Sequence, residues 1–108
     1  MRRLHARGGG VCAVCGRSTG LSLEHILSRG QGGDDVEANL EWLCGSGTTG
    51  CHGRLENEDA ETRRRFGRHL LRKRQDSIDY LRAKLGEVES VEWMRRRLLA
   101  DLAVGSGR

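Results

Sequence analysis

The chain has 108 residues, enough for one domain with a modest core. Hydrophobic residues make up 36%, aromatic residues 4% and charged residues 31%, with sixteen glycines; a large apolar core is excluded, and a metal or partner is expected to help hold the fold. The formal charge of +4 is uneven: residues 1–56 balance six Arg against six acids, whereas residues 57–108 carry thirteen Lys or Arg against nine acids, which points to a polyanionic partner.

Residues 1–10 (MRRLHARGGG) form a basic lead-in expected to be flexible, and it lacks the apolar stretch of a secretory signal. No run reaches the roughly 18 apolar residues of a membrane span. A cytoplasmic protein is therefore expected, in which cysteines stay reduced and paired spacings read as metal ligands. Cys12-Ala-Val-Cys15-Gly16 reads as a tight turn presenting two thiols. Leu21 to Leu27 is apolar and partly alternating, which predicts a strand. The stretch from Ser28 to Asp35 has loop chemistry throughout, and Ala38 to Leu43 predicts a second strand pairing back on the first. Cys44 to Cys51 is a glycine-rich loop with a thiol at each end. A short helix is expected over His52 to Glu56. Asn57 is the expected cap of the next helix, with Glu58, Asp59 and Glu61 in its first turn and Gly67 as its end. His69 to Arg74 is strongly basic and its state stays open. Asp76 is expected to cap a third helix with Ile78, Leu81 and Leu85 on one face and Gly86 as its end. A last helix is expected over Ser90 to Ala103, with Val91, Met94, Leu98 and Leu102 at helical period and a loose tail beyond. The pattern is that of an α+β fold.

Two constellations carry chemistry. Zinc takes four thiolates in a tetrahedron, and Cys12, Cys15, Cys44 and Cys51 come as two pairs about thirty residues apart. The second pair is separated by six residues, and Gly45, Gly47 and Gly50 make that loop pliable enough to close. Free buried thiols are the plain alternative. The second constellation is Glu24-His25, then Asn39, then His52. A zinc knuckle would pin the end of the first strand near the start of the helix, where a carboxylate and an imidazole suit one Mg²⁺, Mn²⁺ or Zn²⁺ with open positions, and a second His can remove a proton from water. From residue types alone, a structural histidine in a strand is the competing reading.

The segments Leu23-Glu-His-Ile-Leu-Ser-Arg-Gly-Gln-Gly-Gly-Asp-Asp, Ala38-Asn-Leu-Glu-Trp-Leu-Cys44 and Gly50-Cys-His-Gly-Arg54, taken in order, resemble the HNH endonucleases. These are ββα-metal nucleases, here in the form with a four-cysteine zinc, and the glycine-rich Cys44-to-Cys51 loop particularly resembles phage-encoded members, some of which sit near DNA-packaging genes. The resemblance covers residues 12 to about 56. It implies a ββα-metal core on a zinc knuckle over residues 11–56; the helical pattern beyond it is expected to add a basic extension over residues 57–104 that packs on this core. The resemblance further implies metal-dependent hydrolysis of DNA phosphodiester bonds, leaving 5′-phosphate and 3′-hydroxyl ends. His25 matches the general base, Glu24 and His52 the ligands of the catalytic Mg²⁺, Mn²⁺, Ni²⁺ or Zn²⁺, and Asn39 the residue that holds the loop orienting the base. Arg54 matches a basic residue near the scissile phosphate. Glu24 stands where the family often has Asp, and the Cys44–Cys51 spacing is wider than usual.

The seven cations Arg63, Arg64, Arg65, Arg68, Arg72, Lys73 and Arg74 fall within twelve residues and are the expected DNA surface. Trp42 and Trp93 are expected in the core, and Arg95-Arg-Arg97 on a solvent face. His5 has no assigned role. The rival to the nuclease is a non-catalytic zinc-knuckle module that binds nucleic acid through its basic half. The last two helices leave open a homodimer or a phage packaging protein as partner, in the host cytoplasm.

Overall fold

A computed structural model describes residues 10–100 as a mixed α+β chain. Strand β1 (Leu21–His25) pairs antiparallel with β2 (Leu40–Cys44), with Leu21 opposite Cys44 and His25 opposite Leu40. Both strands differ at their edges from the expected ranges. Ile26 and Leu27 leave the ladder and are buried in the core. Glu37–Asn39 form a 3-10 turn, so β2 starts only at Leu40. A second 3-10 turn, Arg29–Gln31, lies inside the expected loop.

Four helices follow: α1 (Gly50–Glu56), α2 (Ala60–Lys73), α3 (Gln75–Leu85) and α4 (Glu87–Leu98). The cap of α2 is Asp59, whose carboxylate accepts from the Thr62 N–H at 2.9 Å and satisfies an orphan donor of the first turn. Asn57 instead closes α1. Gly67 does not end α2 but sits in its middle, because a Cβ there would stand 3.1 Å from the Leu98 carbonyl; the glycine lets α4 approach. Asp76 lies in the first turn of α3 rather than at its cap, and its carboxylate is drawn to the Arg74 guanidinium at 3.0 Å. Gly86, at φ 96°, separates α3 from α4, so α4 begins before Ser90. The chain leaves the helix at Leu99, at φ 54°. Leu102, Ala103, the tail and His5 lie outside the described residues.

The core runs through the molecule as one cluster: Leu27 and Leu43 from the sheet region, Leu55 from α1, Phe66 and Leu70 from α2, Leu81 from α3, Trp93 and Leu98 from α4. The apolar faces of α3 and α4 are thus spent internally. Trp93 is buried as expected, whereas Trp42 is only half-buried. Among the described residues, no helix is long and apolar enough to cross a membrane.

Candidate metal centre and cleft

The Sγ atoms of Cys12, Cys15, Cys44 and Cys51 all lie within 4.8 Å of one another, with Cys15 and Cys44 at 3.7 Å. Thiolates at about 2.3 Å from zinc stand about 3.8 Å apart along a tetrahedral edge, so the donor set and its spacing fit a structural zinc. Local chemistry builds this knuckle. Gly16 turns the first pair at φ 82°, and its N–H donates to the Cys12 carbonyl at 2.9 Å. A Cβ on Gly45 would sit 2.1 Å from the Thr49 carbonyl, so only glycine permits the longer second loop. Backbone N–H groups of Val14 and Cys15 point at Cys12 Sγ (3.4 and 3.5 Å), and that of Cys51 at Cys44 Sγ (3.5 Å). Burial pushes the Cys51 thiol up to about 12, and its hydrogen bond with Cys44 adds to this. Burial also opposes ionisation of Cys12, but the N–H groups aimed at it bring its thiol down to about 7. A bound cation would favour the thiolate form that zinc requires of its ligands.

The second constellation forms where α1 lies against β1. Ser22 Oγ donates to the Gly45 carbonyl at 2.7 Å, which commits its one proton. It therefore accepts from His52 Nδ1–H, at 2.6 Å. This tautomer leaves the lone pair on His52 Nε2, which faces Glu24 Oε1 at 2.7 Å. A lone pair facing a carboxylate oxygen calls for a proton or a cation between them. Glu56, one turn after His52, brings Oε2 to 3.9 Å from the same nitrogen. Burial raises the Glu24 carboxyl to about 8, and the Glu56 charge adds to the rise. Burial lowers the His52 imidazole against the pull of Glu56. Ligand atoms of Glu24, His52 and Glu56 lie within 4.8 Å of one another. Adjacent ligands at about 2.1 Å from an octahedral ion are about 3 Å apart; the Glu24–His52 pair is near that spacing and Glu56 stands wider, so the three are a set that could hold a metal ion. These residues line a cleft of about 480 Å³ together with His25, Arg29 and Arg97.

His25 enters this cleft beside Glu24. Its Nε2 lies 2.6 Å from Asp35 Oδ1, and Arg29 grips the same carboxylate at 3.2 and 3.0 Å. The His25 bond, then Arg29, hold the Asp35 carboxyl below its usual range, so it accepts and His25 Nε2 donates. In the neutral ring, Nδ1 is then the nitrogen able to take a proton. Asn39 is fully buried: its Oδ1 accepts from Leu27 N–H at 2.8 Å, and its Nδ2 donates to the carbonyls of Leu27 (2.9 Å) and Asp34 (3.0 Å). It holds the loop rather than facing the cleft. Gly33 fits that loop because a Cβ would fall 1.8 Å from the Leu27 carbonyl. Tyr80 of α3 pins the loop from outside, donating to Asp34 Oδ2 at 2.5 Å and accepting the Asp34 N–H at 2.8 Å.

The expected DNA surface divides. Arg64, Arg65, Arg68, Arg72 and Lys73 are exposed on α2. Arg74 is not: it is 4% exposed and bound to Glu41 at 2.5 Å, to Asp76 and to the carbonyls of Leu40 and Glu37. Arg63 is half-buried and donates to the carbonyls of Arg97 (2.8 Å) and Arg96, which tethers the end of α4. Arg54 is exposed, and its Nη2 donates to Cys51 Sγ at 3.4 Å beside the knuckle. Arg95 and Arg96 are exposed as expected, but Arg97 is half-buried in the cleft.

Among the residues at or near the cleft that the sequence did not single out are Glu56, Asp35 and Arg97. Glu56 had a signal, since it follows His52 by four positions and shares its helix face. Asp35 and Arg97 had none, because only the folded loop and the packing of α4 bring them in. In comparisons with family models, curated proteins and solved structures, nothing matches this chain.

Proposed function

We propose that the chain is a metal-dependent DNA endonuclease of the HNH type, its ββα-metal core being β1, β2 and α1 on a zinc-stapled knuckle. The observation that carries this reading is the pairing in one cleft of a metal-type donor set with a carboxylate-held histidine. Ser22 aims the His52 lone pair at Glu24, and Asp35 holds His25 beside them. Glu24, His52 and Glu56 would hold the divalent ion, which when bound supplies Lewis-acid stabilisation of the departing oxygen. His25 Nδ1 takes a proton from water as the water oxygen bonds to phosphorus. The phosphorus–O3′ bond breaks, and the 3′-oxygen leaves to pick up a proton from solvent. The products are a 5′-phosphate and a 3′-hydroxyl. Asp35 keeps the imidazole in the tautomer this step needs. Asn39, Gly33 and Tyr80 keep the loop carrying Asp35 in place. Arg64, Arg65, Arg68, Arg72 and Lys73 offer phosphate contacts without sequence readout. The setting consistent with the resemblance is phage DNA processing in the host cytoplasm.

The test is plasmid cleavage across Mg²⁺, Mn²⁺, Ni²⁺ and Zn²⁺, with zinc content and DNA affinity measured on the same samples. His25→Ala is expected to lower the rate by about 10²–10⁴-fold while keeping zinc and DNA binding. His52→Ala is expected to stop cleavage and to recover in part with excess Mn²⁺, because the ion is lost rather than the base. If His25→Ala cuts as fast as wild type, the catalytic assignment fails. DNA binding without cleavage under any metal would make the zinc-knuckle nucleic-acid-binding module the better account.

A further inference from the structure

Arg97 belongs to α4, well outside the segments that resemble HNH nucleases, yet its guanidinium lies in the cleft. Its backbone is fixed from two sides. Arg63 binds the carbonyls of Arg96 and Arg97, and the neighbouring Trp93, Met94 and Leu98 are buried. The side chain is 27% exposed, and its Nη1 donates to the Leu55 carbonyl at 3.3 Å. Its Nη2 stands 3.9 Å from Glu24 Oε2 and 4.0 Å from Glu56 Oε2. These are ion-pair distances beyond hydrogen-bond reach, so the carboxylates attract the charge without using the Nη2 protons. Arg29, the other arginine lining the cleft, is spent on Asp35 through both Nε and Nη2.

Charge balance says what such a group can do. Two ionised carboxylates and one divalent cation cancel. A phosphodiester arrives with one negative charge and gains more on its equatorial oxygens as water attacks. A fixed guanidinium beside the cancelled set is the charge that this build-up meets, in a partly desolvated cleft where it counts for more than in bulk water. Two parallel N–H donors also match the geometry of two phosphate oxygens.

We infer that Arg97 is a catalytic residue of this chain, donating from its guanidinium to the non-bridging oxygens of the scissile phosphate; the inference rests on the nuclease reading above. The helical extension then completes the active site as well as covering the core.

The experiment uses full-length, zinc-loaded protein with Arg97→Gln, Arg97→Lys and, as a surface control, Arg95→Gln. It measures kcat and KM for cleavage of a supercoiled plasmid with Mn²⁺, Mn²⁺ affinity by calorimetry in the absence of DNA, and thermal melting. Arg97→Gln is expected to lower kcat by about 10²–10³-fold, as for loss of one transition-state donor, with KM little changed. Its Mn²⁺ affinity is expected to be unchanged or tighter, since a like charge beside the ligands is removed. Arg97→Lys, which keeps the charge and the fold but loses the fork, is expected to fall between, and Arg95→Gln to match wild type. Arg97→Gln cutting like wild type would retire Arg97 alone. Loss of Mn²⁺ binding together with activity would make it a strut of the metal site and overturn the inference. A wild type that cuts no DNA with Mn²⁺ or any other divalent ion would overturn the nuclease reading, and the role of Arg97 with it.

Discussion

Glu24 and Glu41 stand directly opposite each other across the two strands, and both are buried, at 5% and 4% exposure. Opposed residues share one face of a sheet, and like charges there cost stability. The fold treats the two carboxylates in opposite ways. Glu41 is neutralised within the chain: Arg74 reaches it at 2.5 Å, His69 at 2.9 Å, and the Trp42 N–H donates to its second oxygen at 2.9 Å. Burial works against its charge, but His69, the Trp42 N–H and Arg74 together hold its carboxyl below the usual value. Glu24 receives no such set. Its close neighbour is the lone pair of His52, a second carboxylate lies nearby, and Arg97 stays at 3.9 Å. A buried carboxylate that the chain satisfies completely is a strut between sheet and helices. One faced by an imidazole nitrogen and a second carboxylate belongs to a donor set that could hold an ion.

The largest effect is expected where both glutamates lose their common frame. The knuckle joins the start of the described chain to the end of β2 and the start of α1, and structural zinc contributes on the order of 10 kcal/mol to small folds. Cys15→Ser or Cys44→Ser is expected to unfold the protein by circular dichroism, and elemental analysis of wild type to show one zinc per chain. Folded protein without zinc would break this expectation.

Next in size is the contrast between the two carboxylates themselves. Arg74→Ala leaves Glu41 buried without its main cation and is expected to cost about 3–5 kcal/mol in denaturant unfolding. Glu24→Gln is expected to leave the melting temperature at neutral pH unchanged or raised when no divalent ion beyond the knuckle zinc is added, because a carboxyl that burial forces to take up a proton is replaced by a neutral amide. It should also abolish any stabilisation by added Mn²⁺. Equal destabilisation by both changes would show that the two carboxylates are the same kind of residue.

The same contrast has a pH signature. Glu41 has a folded value below its ordinary 4.5, so its contribution is present above that pH and is lost as pH falls through the folded value. Glu24 runs the other way: its folded value is raised from 4.5 to about 8, so its contribution is present below pH 4.5 and is lost as pH rises toward 8. In denaturation midpoints measured against pH without added divalent ion, Glu41→Gln should flatten the acid limb, and Glu24→Gln the decline between those two values. An acid limb left intact by Glu41→Gln would assign it to other carboxylates.

The smallest expected effect concerns Ser22, whose hydroxyl sets the His52 tautomer. Ser22→Ala is expected to weaken Mn²⁺ binding at Glu24 and His52 by about 10–100-fold, while the knuckle zinc stays in place. Unchanged affinity in calorimetry would show that the tautomer is set without Ser22.

Much of the site was legible in the sequence because its signals are local. Two cysteines three apart set two thiols on one turn, a spacing that suits a metal, and glycines at 45 and 50 announce a loop that other residues could not close. Glu24, His25 and His52 come to one cleft because a strand, a hairpin return and a helix that begins next to a knuckle cysteine leave the chain little choice. Asn39 could be singled out by its position in the motif, and its buried bonds to Leu27 and Asp34 match the loop-holding role. The helix limits were less legible: Asn57 and Asp59 are equally good caps in isolation, and only the fold chose Asp59. Gly67 reads as a stop in one dimension and is a contact point in three.

What the amino-acid sequence determined by itself was the chemistry available: four thiols in two pairs, a Glu-His dipeptide, a distant histidine, and a basic second half. What only the tertiary structure decided was which charges are spent and which stay available. Arg63, Arg74 and Arg97 are the same residue type within basic runs, and nothing in those runs ranks them. Packing makes Arg74 a buried partner of Glu41, Arg63 a tether for the end of α4, and Arg97 a cation in the cleft. The physical reason is range. Propensity and ligand spacing act over a few residues, whereas the worth of a charge depends on its burial and on partners tens of residues away, such as Glu41 for Arg74 and Glu24 for Arg97.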